Sequence, residues 1–141
     1  MRHPLHFLLA DDDMDDKELF VSVLSTILPD ARIHTVSDGK DVIRYLENCD
    51  PSDLPMALIL DINMPQVSGL AVLDWLKANP RFQLLKRFVF STSADQWNRQ
   101  LCLERNVVDY FIKPNSVQEI REIAEKIVAY LSALYTPSDE K

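Results

Sequence analysis

The chain has 141 residues, 47% hydrophobic and 26% charged, which fits one globular domain with a full core and excludes a disordered or fibrous class. Its net charge of −7, with no cluster of lysines and arginines, excludes non-specific nucleic-acid binding, and no apolar stretch reaches the length of a membrane span. The start, Met1-Arg2-His3-Pro4, leads into a run too short for a secretory signal, and Cys49 and Cys102 lack disulfide density or metal spacing, so a cytoplasmic protein with half-buried packing thiols is expected.

The first apolar run, His6-Phe7-Leu8-Leu9-Ala10, reads as a strand and ends in Asp11-Asp12-Asp13. Leu19, Phe20, Val23, Leu24, Ile27 and Leu28 then recur at helical spacing until Pro29. Arg32 to Val36 is a short second strand; after the turn Ser37-Asp38-Gly39, the residues Val42, Ile43, Tyr45 and Leu46 mark a second helix ending near Cys49. The loop from Asp50 to Pro55 delivers a third strand, Met56-Ala57-Leu58-Ile59-Leu60, which stops at Asp61. An irregular turn from Asn63 to Gly69 follows, and Leu70, Val72, Leu73 and Leu76 mark a third helix closed by Asn79-Pro80. Phe88-Val89-Phe90 forms the fourth strand and runs into Ser91-Thr92-Ser93; a helix from about Asp95 to Arg105 has a thin apolar stripe. Val107 to Ile112 is the fifth strand, ending at Lys113-Pro114. Ser116 and Glu119 form a capping-box pattern at the head of a long amphipathic helix carrying Val117, Ile120, Ile123, Ala124, Ile127, Leu131 and Leu134. Trp75 and Trp97 are expected to pack on helix faces, and the tail from residue 135 to residue 141 to fray.

Strands that are continuously apolar suit a parallel sheet buried on both faces, and five β–α units in succession predict a flavodoxin-like, doubly wound α/β fold of strand order 2-1-3-4-5. In such sheets ligands bind beyond the carboxyl ends of the strands, where the order reverses. That order brings Asp11, Asp12 and Asp61 within a few ångströms, where their mutual repulsion calls for a hard, oxygen-seeking cation such as Mg²⁺. Lys113 adds one positive charge, enough for one carboxylate but not for three or four. The plainer alternative is an acidic surface with a structural Asp–Lys pair, and the favourable field at a helix start accounts in that way for Asp13 and Asp16.

These residues carry a family resemblance. Asp11-Asp12 after the first strand, Leu60-Asp61-Ile62-Asn63-Met64-Pro65 followed by Gly69, Ser91-Thr92-Ser93 after the fourth strand, and Tyr110-Phe111-Ile112-Lys113-Pro114 together resemble a response-regulator receiver domain. The resemblance spans roughly residues 5–134, so residues 1–141 are expected to form a single receiver domain with no attached output domain. It implies that Asp61 accepts a phosphoryl group from a phosphohistidine on a sensor histidine kinase or phosphotransfer protein. Asp12 would ligate Mg²⁺ directly, Asp11 through water, and Asp61 and the backbone carbonyl of Asn63 would complete the set; Lys113 would bind a phosphoryl oxygen and join Pro114 through a cis peptide. Ser91 would be the switch hydroxyl and Tyr110 the switch aromatic, on a docking face formed by the fourth helix, fifth strand and fifth helix. The implied function is a Mg²⁺-dependent switch in two-component signalling, relaying its phosphoryl group or docking an unknown downstream protein, and not a turnover enzyme.

Two positions depart from the family's pattern. Asn106 stands where glycine is usual, and asparagine tolerates the same left-handed backbone; Arg87 replaces a common proline and is expected to alter a loop. Two alternatives remain open, a small Mg²⁺-dependent phosphatase or hydrolase and a degenerate receiver serving as a scaffold. The first is weakened because Asn63 takes the place of the second aspartate in Asp61-Ile62-Asn63, which is otherwise similar to a haloacid-dehalogenase phosphatase motif. His3, His6 and His34 are scattered, and Gly39 and Gly69 make no glycine-rich phosphate loop.

Overall fold

In a computed structural model describing residues 5–134, a parallel sheet has the order β2-β1-β3-β4-β5. Its strands are β1 (His6–Ala10), β2 (Arg32–Val36), β3 (Ala57–Leu60), β4 (Lys86–Ser91) and β5 (Val107–Ile112). The helices are α1 (Met14–Ile27), α2 (Gly39–Asn48), α3 (Gly69–Lys77), α4 (Gln96–Leu103) and α5 (Val117–Leu134), with short 3-10 turns at Pro51–Asp53 and Pro80–Phe82. The flavodoxin-like order expected from the sequence is therefore the order found. The tail expected to fray lies outside the described residues.

Alternate residues along the central strands feed two apolar clusters, as the period of a strand requires. Phe7, Leu9, Ile59, Phe88 and Phe90 face α1 and α5, meeting Phe20, Leu24, Ile127 and Leu131. Leu8, Ala10, Leu58, Leu60 and Val89 face the other way, against Val42, Leu46, Val72, Leu73 and Cys102. Both faces of β1 and β3 are thus dry, which is why their sequences do not alternate.

Several local expectations are corrected. β4 begins at Lys86, so Arg87 lies within the strand, paired with Val107, and not in a preceding loop. A charged side chain interrupts an apolar pattern without interrupting the backbone ladder. Trp97 does not pack on its helix face; it is 67% exposed, because the short α4 buries Cys102 and leaves its amino-terminal turn in solvent. Cys102 is fully buried, whereas Cys49 is partly so. There is no cis peptide among the described residues, so Lys113–Pro114 is trans, the form an X–Pro bond takes unless its surroundings demand otherwise. Asn106 does adopt the left-handed backbone, with φ of 64°.

Candidate functional site

Three backbone hydrogen bonds continue the sheet ladder past the strand ends and set the site. Asp11 N–H donates to Val36 C=O at 3.1 Å, Asp61 N–H to Ala10 C=O at 3.0 Å, and Lys113 N–H to Ser91 C=O at 2.8 Å. The side chains of Asp11, Asp61 and Lys113 consequently leave the sheet at the same edge. One carboxylate oxygen from each of Asp11, Asp12 and Asp61 lies within 4.8 Å of the others, with Asp12 exposed and the other two buried.

The ammonium of Lys113 sits among the acids. Its Nζ lies 2.6 Å from Asp11 Oδ2, 2.9 Å from Asp16 Oδ2 and 3.2 Å from Asp61 Oδ2. Burial works against that charge, but hydrogen bonds to Asp11 and Asp16 and the charges of Asp11 and Asp61 outweigh it and raise the lysine's pKa. Asp11 behaves in the opposite way. Its residue is 2% exposed, and burial pushes its carboxyl up to about 6 despite the opposing hydrogen bonds from Lys113 and the Asp13 N–H. A charged carboxylate there is costly until something more than one lysine balances it.

Asp16 is the residue that sequence reasoning missed. Its position in the first turn of α1 has an adequate explanation in the helix field, and nothing local shows that it also reaches a lysine 97 residues away. Asp13 behaves as expected, capping α1 by accepting from the Asp16 N–H at 2.9 Å.

The segment after Asp61 is held from both ends. Asn63 N–H donates to Asp61 Oδ1 at 3.1 Å, fixing the carboxylate's rotation, while Ile62 and Met64 are buried in the cluster below. Gly69 N–H donates to Ile62 C=O, and a Cβ at Gly69 would stand 2.6 Å from the Asp61 carbonyl oxygen, so glycine alone lets α3 start so close. The other glycine serves the same loop: Gly39 N–H donates to Val67 C=O at 3.2 Å, and a Cβ there would collide with that carbonyl.

Ser91 and Tyr110 converge on one residue. The fully buried Ser91 Oγ accepts from the Ser93 N–H at 3.3 Å, and the Tyr110 hydroxyl donates to the Ser93 carbonyl at 2.7 Å. Tyr110 is 3% exposed, with its hydroxyl tied to the backbone of the loop before α4. Ser93 Oγ in turn accepts from Asn98 Nδ2 at 3.2 Å, linking the loop to α4.

The donor set suits a hard divalent cation: carboxylate oxygens without sulfur or imidazole, one acid reachable from solvent, and an excess of negative charge over the single lysine. The model of the response regulator receiver domain family matches residues 7–125. The chain belongs to this family. Among its relatives, the probable methanogenesis regulatory protein FilR2 of Methanothrix harundinacea is 27% identical over 129 residues, covering 90% of this chain and 83% of that protein. Response regulator Rcp1 of Synechocystis is 25% identical over 130 residues, covering 90% and 88%. The cyclic di-GMP phosphodiesterase response regulator RpfG of Xanthomonas campestris is 26% identical over 83% of this chain, which spans 30% of its length. Two solved structures share the receiver fold: the phosphorylated cyanobacterial phytochrome response regulator RcpA, at 23% identity and TM-score 0.80 over 89% of this chain and 91% of that one, and the Mn²⁺-bound form of Rcp1, at 23% identity and TM-score 0.79 over 96% of each. This receiver therefore sits in two-component signalling, a signalling family and not one of turnover enzymes. No helix among its described residues is long and apolar enough to cross a membrane.

Proposed function

We propose that residues 5–134 form one cytoplasmic receiver domain in which Asp61 accepts a phosphoryl group from a phosphohistidine on a sensor histidine kinase or phosphotransfer protein. The observation that carries this is the placement of the Asp61 carboxylate, 5% exposed, beside the Lys113 ammonium and two further acids at the open end of the sheet. A carboxylate oxygen of Asp61 forms the new bond to phosphorus, and the bond from phosphorus to the histidine nitrogen breaks with its electron pair on the imidazole. Asp12, Asp61 and the Asn63 carbonyl would hold Mg²⁺ directly and Asp11 through water, and the ion would screen the nucleophile's charge and stabilise the charge on the phosphoryl oxygens.

The chain's own groups supply the rest. Asn63 N–H fixes one Asp61 oxygen, leaving the other on the Lys113 side. Lys113, kept protonated by its carboxylate neighbours, neutralises a phosphoryl oxygen once the group arrives. Ser91 turns its hydroxyl towards that oxygen and gives up the Ser93 N–H, so the contact that holds the loop before α4 changes hands. Tyr110, whose hydroxyl binds the same residue, moves with it, and the face of α4, β5 and α5 presents a new surface to a downstream protein. Relay of the phosphoryl group to a second histidine uses the same pocket in reverse.

Incubation with acetyl phosphate and Mg²⁺ tests this by intact-protein mass spectrometry. The expected result is a gain of one phosphoryl group that Asp61→Asn and chelation of the metal each abolish. Absence of an Asp61-dependent gain would leave a scaffold, and catalytic turnover of a small phosphoester unaffected by Asp61→Asn would make the protein a phosphatase.

A further inference from the structure

The opposite end of the sheet holds a second polar site with the reverse charge. Beneath the starts of β4 and β5, and beside the end of α3, lies a cavity of about 510 Å³. Lys77, Lys86 and Arg87 line it together with the amides of Asn79, Gln83 and Asn106, and no aspartate or glutamate among the described residues does. That is notable in a chain whose net charge is −7.

Arg87 is the decisive residue. It is 4% exposed, yet it has no carboxylate partner among the described residues. Its Nη2 donates to the Phe82 carbonyl at 2.9 Å, and its buried Nε has no hydrogen-bond partner among the described residues. Burial alone lowers the guanidinium's pKa, with no acid to offset it. A guanidinium nevertheless stays protonated in proteins, so the charge persists where water cannot fully solvate it. Buried charges are normally paired or fully hydrogen-bonded, and here one donor of the guanidinium, Nε, is buried without either. The neighbouring Lys77 and Lys86, also without ion pairs among the described residues, add to the positive potential instead of relieving it.

We propose that this cavity binds a small organic anion, its phosphoryl or carboxylate group seated against the Arg87 guanidinium and flanked by Lys77 and Lys86. The planar fork suits either group, since both present paired oxygens at its spacing. The volume lies in the range of pockets that hold small metabolites. Arg87 and Ser91 lie on one strand and one face, four residues and so about 13 Å apart, which makes this site separate from the carboxylate pocket.

Amide NMR of the full chain, free of divalent metal and at ionic strength matched with chloride, tests the proposal with inorganic phosphate in one arm and succinate in the other. Saturable shifts are expected at residues 76–87 and 106–108, apart from any around Asp61 and Lys113. The double variant Lys77→Gln/Lys86→Gln is expected to weaken binding at least about tenfold, the size of one lost charge-assisted hydrogen bond, and Arg87→Met to abolish it. Should Arg87→Met fail to fold, the double lysine variant carries the test. Tighter binding of phosphate assigns a phosphorylated ligand, and tighter binding of succinate a carboxylated one. No saturable shift beyond chloride in either arm, or shifts unchanged in the lysine variant, would overturn the proposal.

Discussion

Helices α4 and α5 flank the same edge strand, β5, and are held to it in opposite ways. α5 runs 18 residues and buries Ile120, Ala124, Ile127 and Leu131 in one stripe against the sheet. α4 runs 8 residues and buries Cys102. Its attachments are polar: Asp95 caps it by accepting from the Trp97 N–H, Asn98 reaches Ser93, and Arg105 pairs with Asp74 of α3 at 2.7 Å. An apolar stripe can be released only by exposing it to water, so local opening there costs close to global unfolding. Polar links exchange partners at little net cost. The difference teaches where a phosphoryl group can act: the loop and helix whose contacts are exchangeable are also those joined to the site, through Ser91 and Tyr110.

The largest expected effect comes from attacking the tight helix. Leu131→Ala removes a fully buried side chain from the α5 stripe and should cost about 2–5 kcal/mol in urea unfolding, from lost transfer energy and the cavity left behind. A cost near zero would mean that α5 is no better anchored than α4, and the comparison would collapse.

Next comes the coupling of the metal site to pH. Asp11 is pushed up to about 6 by burial, against an ordinary value of 3.8. Because the folded pKa is raised, the metal-free folded state takes up a proton as pH falls through 6, and Asp11 favours folding more in acid than at neutral pH. A proton on Asp11 competes with the cation, so Mg²⁺ affinity should hold steady above pH 6 and fall below it, by up to about tenfold per pH unit. Fluorescence titration of Mg²⁺ between pH 5 and pH 8 reads this directly. Asp11→Asn should flatten the profile, and amides of the loop at residues 91–95 should follow the titration while those of α5 stay still. Equal movement in α5 would contradict the division drawn above.

Much of this arrangement could be read from the sequence, and the exceptions share a cause. Strand ends announce themselves: Leu60 to Asp61 and Ile112 to Lys113 change from apolar to charged in one step, because a residue beyond the sheet edge must meet water, an ion or another charge. Helix periodicity gave α5 for the same kind of reason, since a stripe at residues 120, 124, 127 and 131 has one physical interpretation. What escaped was long-range pairing of polar side chains. Asp16 looked like a helix-start acid and is also a partner of Lys113; Arg87 looked like loop and is a strand residue with a buried, uncompensated charge. Trp97, read as packing, lies in solvent because α4 is too short to bury a second turn. Burial of an apolar residue follows from its period, whereas the partner of a charge depends on geometry that no local pattern encodes.

The finest tests concern α4 and its loop. Tyr110→Phe keeps the buried ring and deletes the hydroxyl that donates to the Ser93 carbonyl, which should cost about 1 kcal/mol. Hydrogen exchange should quicken in α4 and in residues 91–95, with α5 unchanged, since the lost bond anchors the loop and not the β5–α5 contact. Trp97→Ala should change global stability by less than about 0.5 kcal/mol, because a side chain 67% exposed loses little on truncation. The pair sharpens the comparison. If the hydroxyl matters more than the indole, then α4 is held through its loop by single polar bonds, and a switch need rearrange only those bonds to move it. If Trp97→Ala proves the costlier of the two, the helix is held by its own apolar contact, and the Ser93 bonds do not control its position.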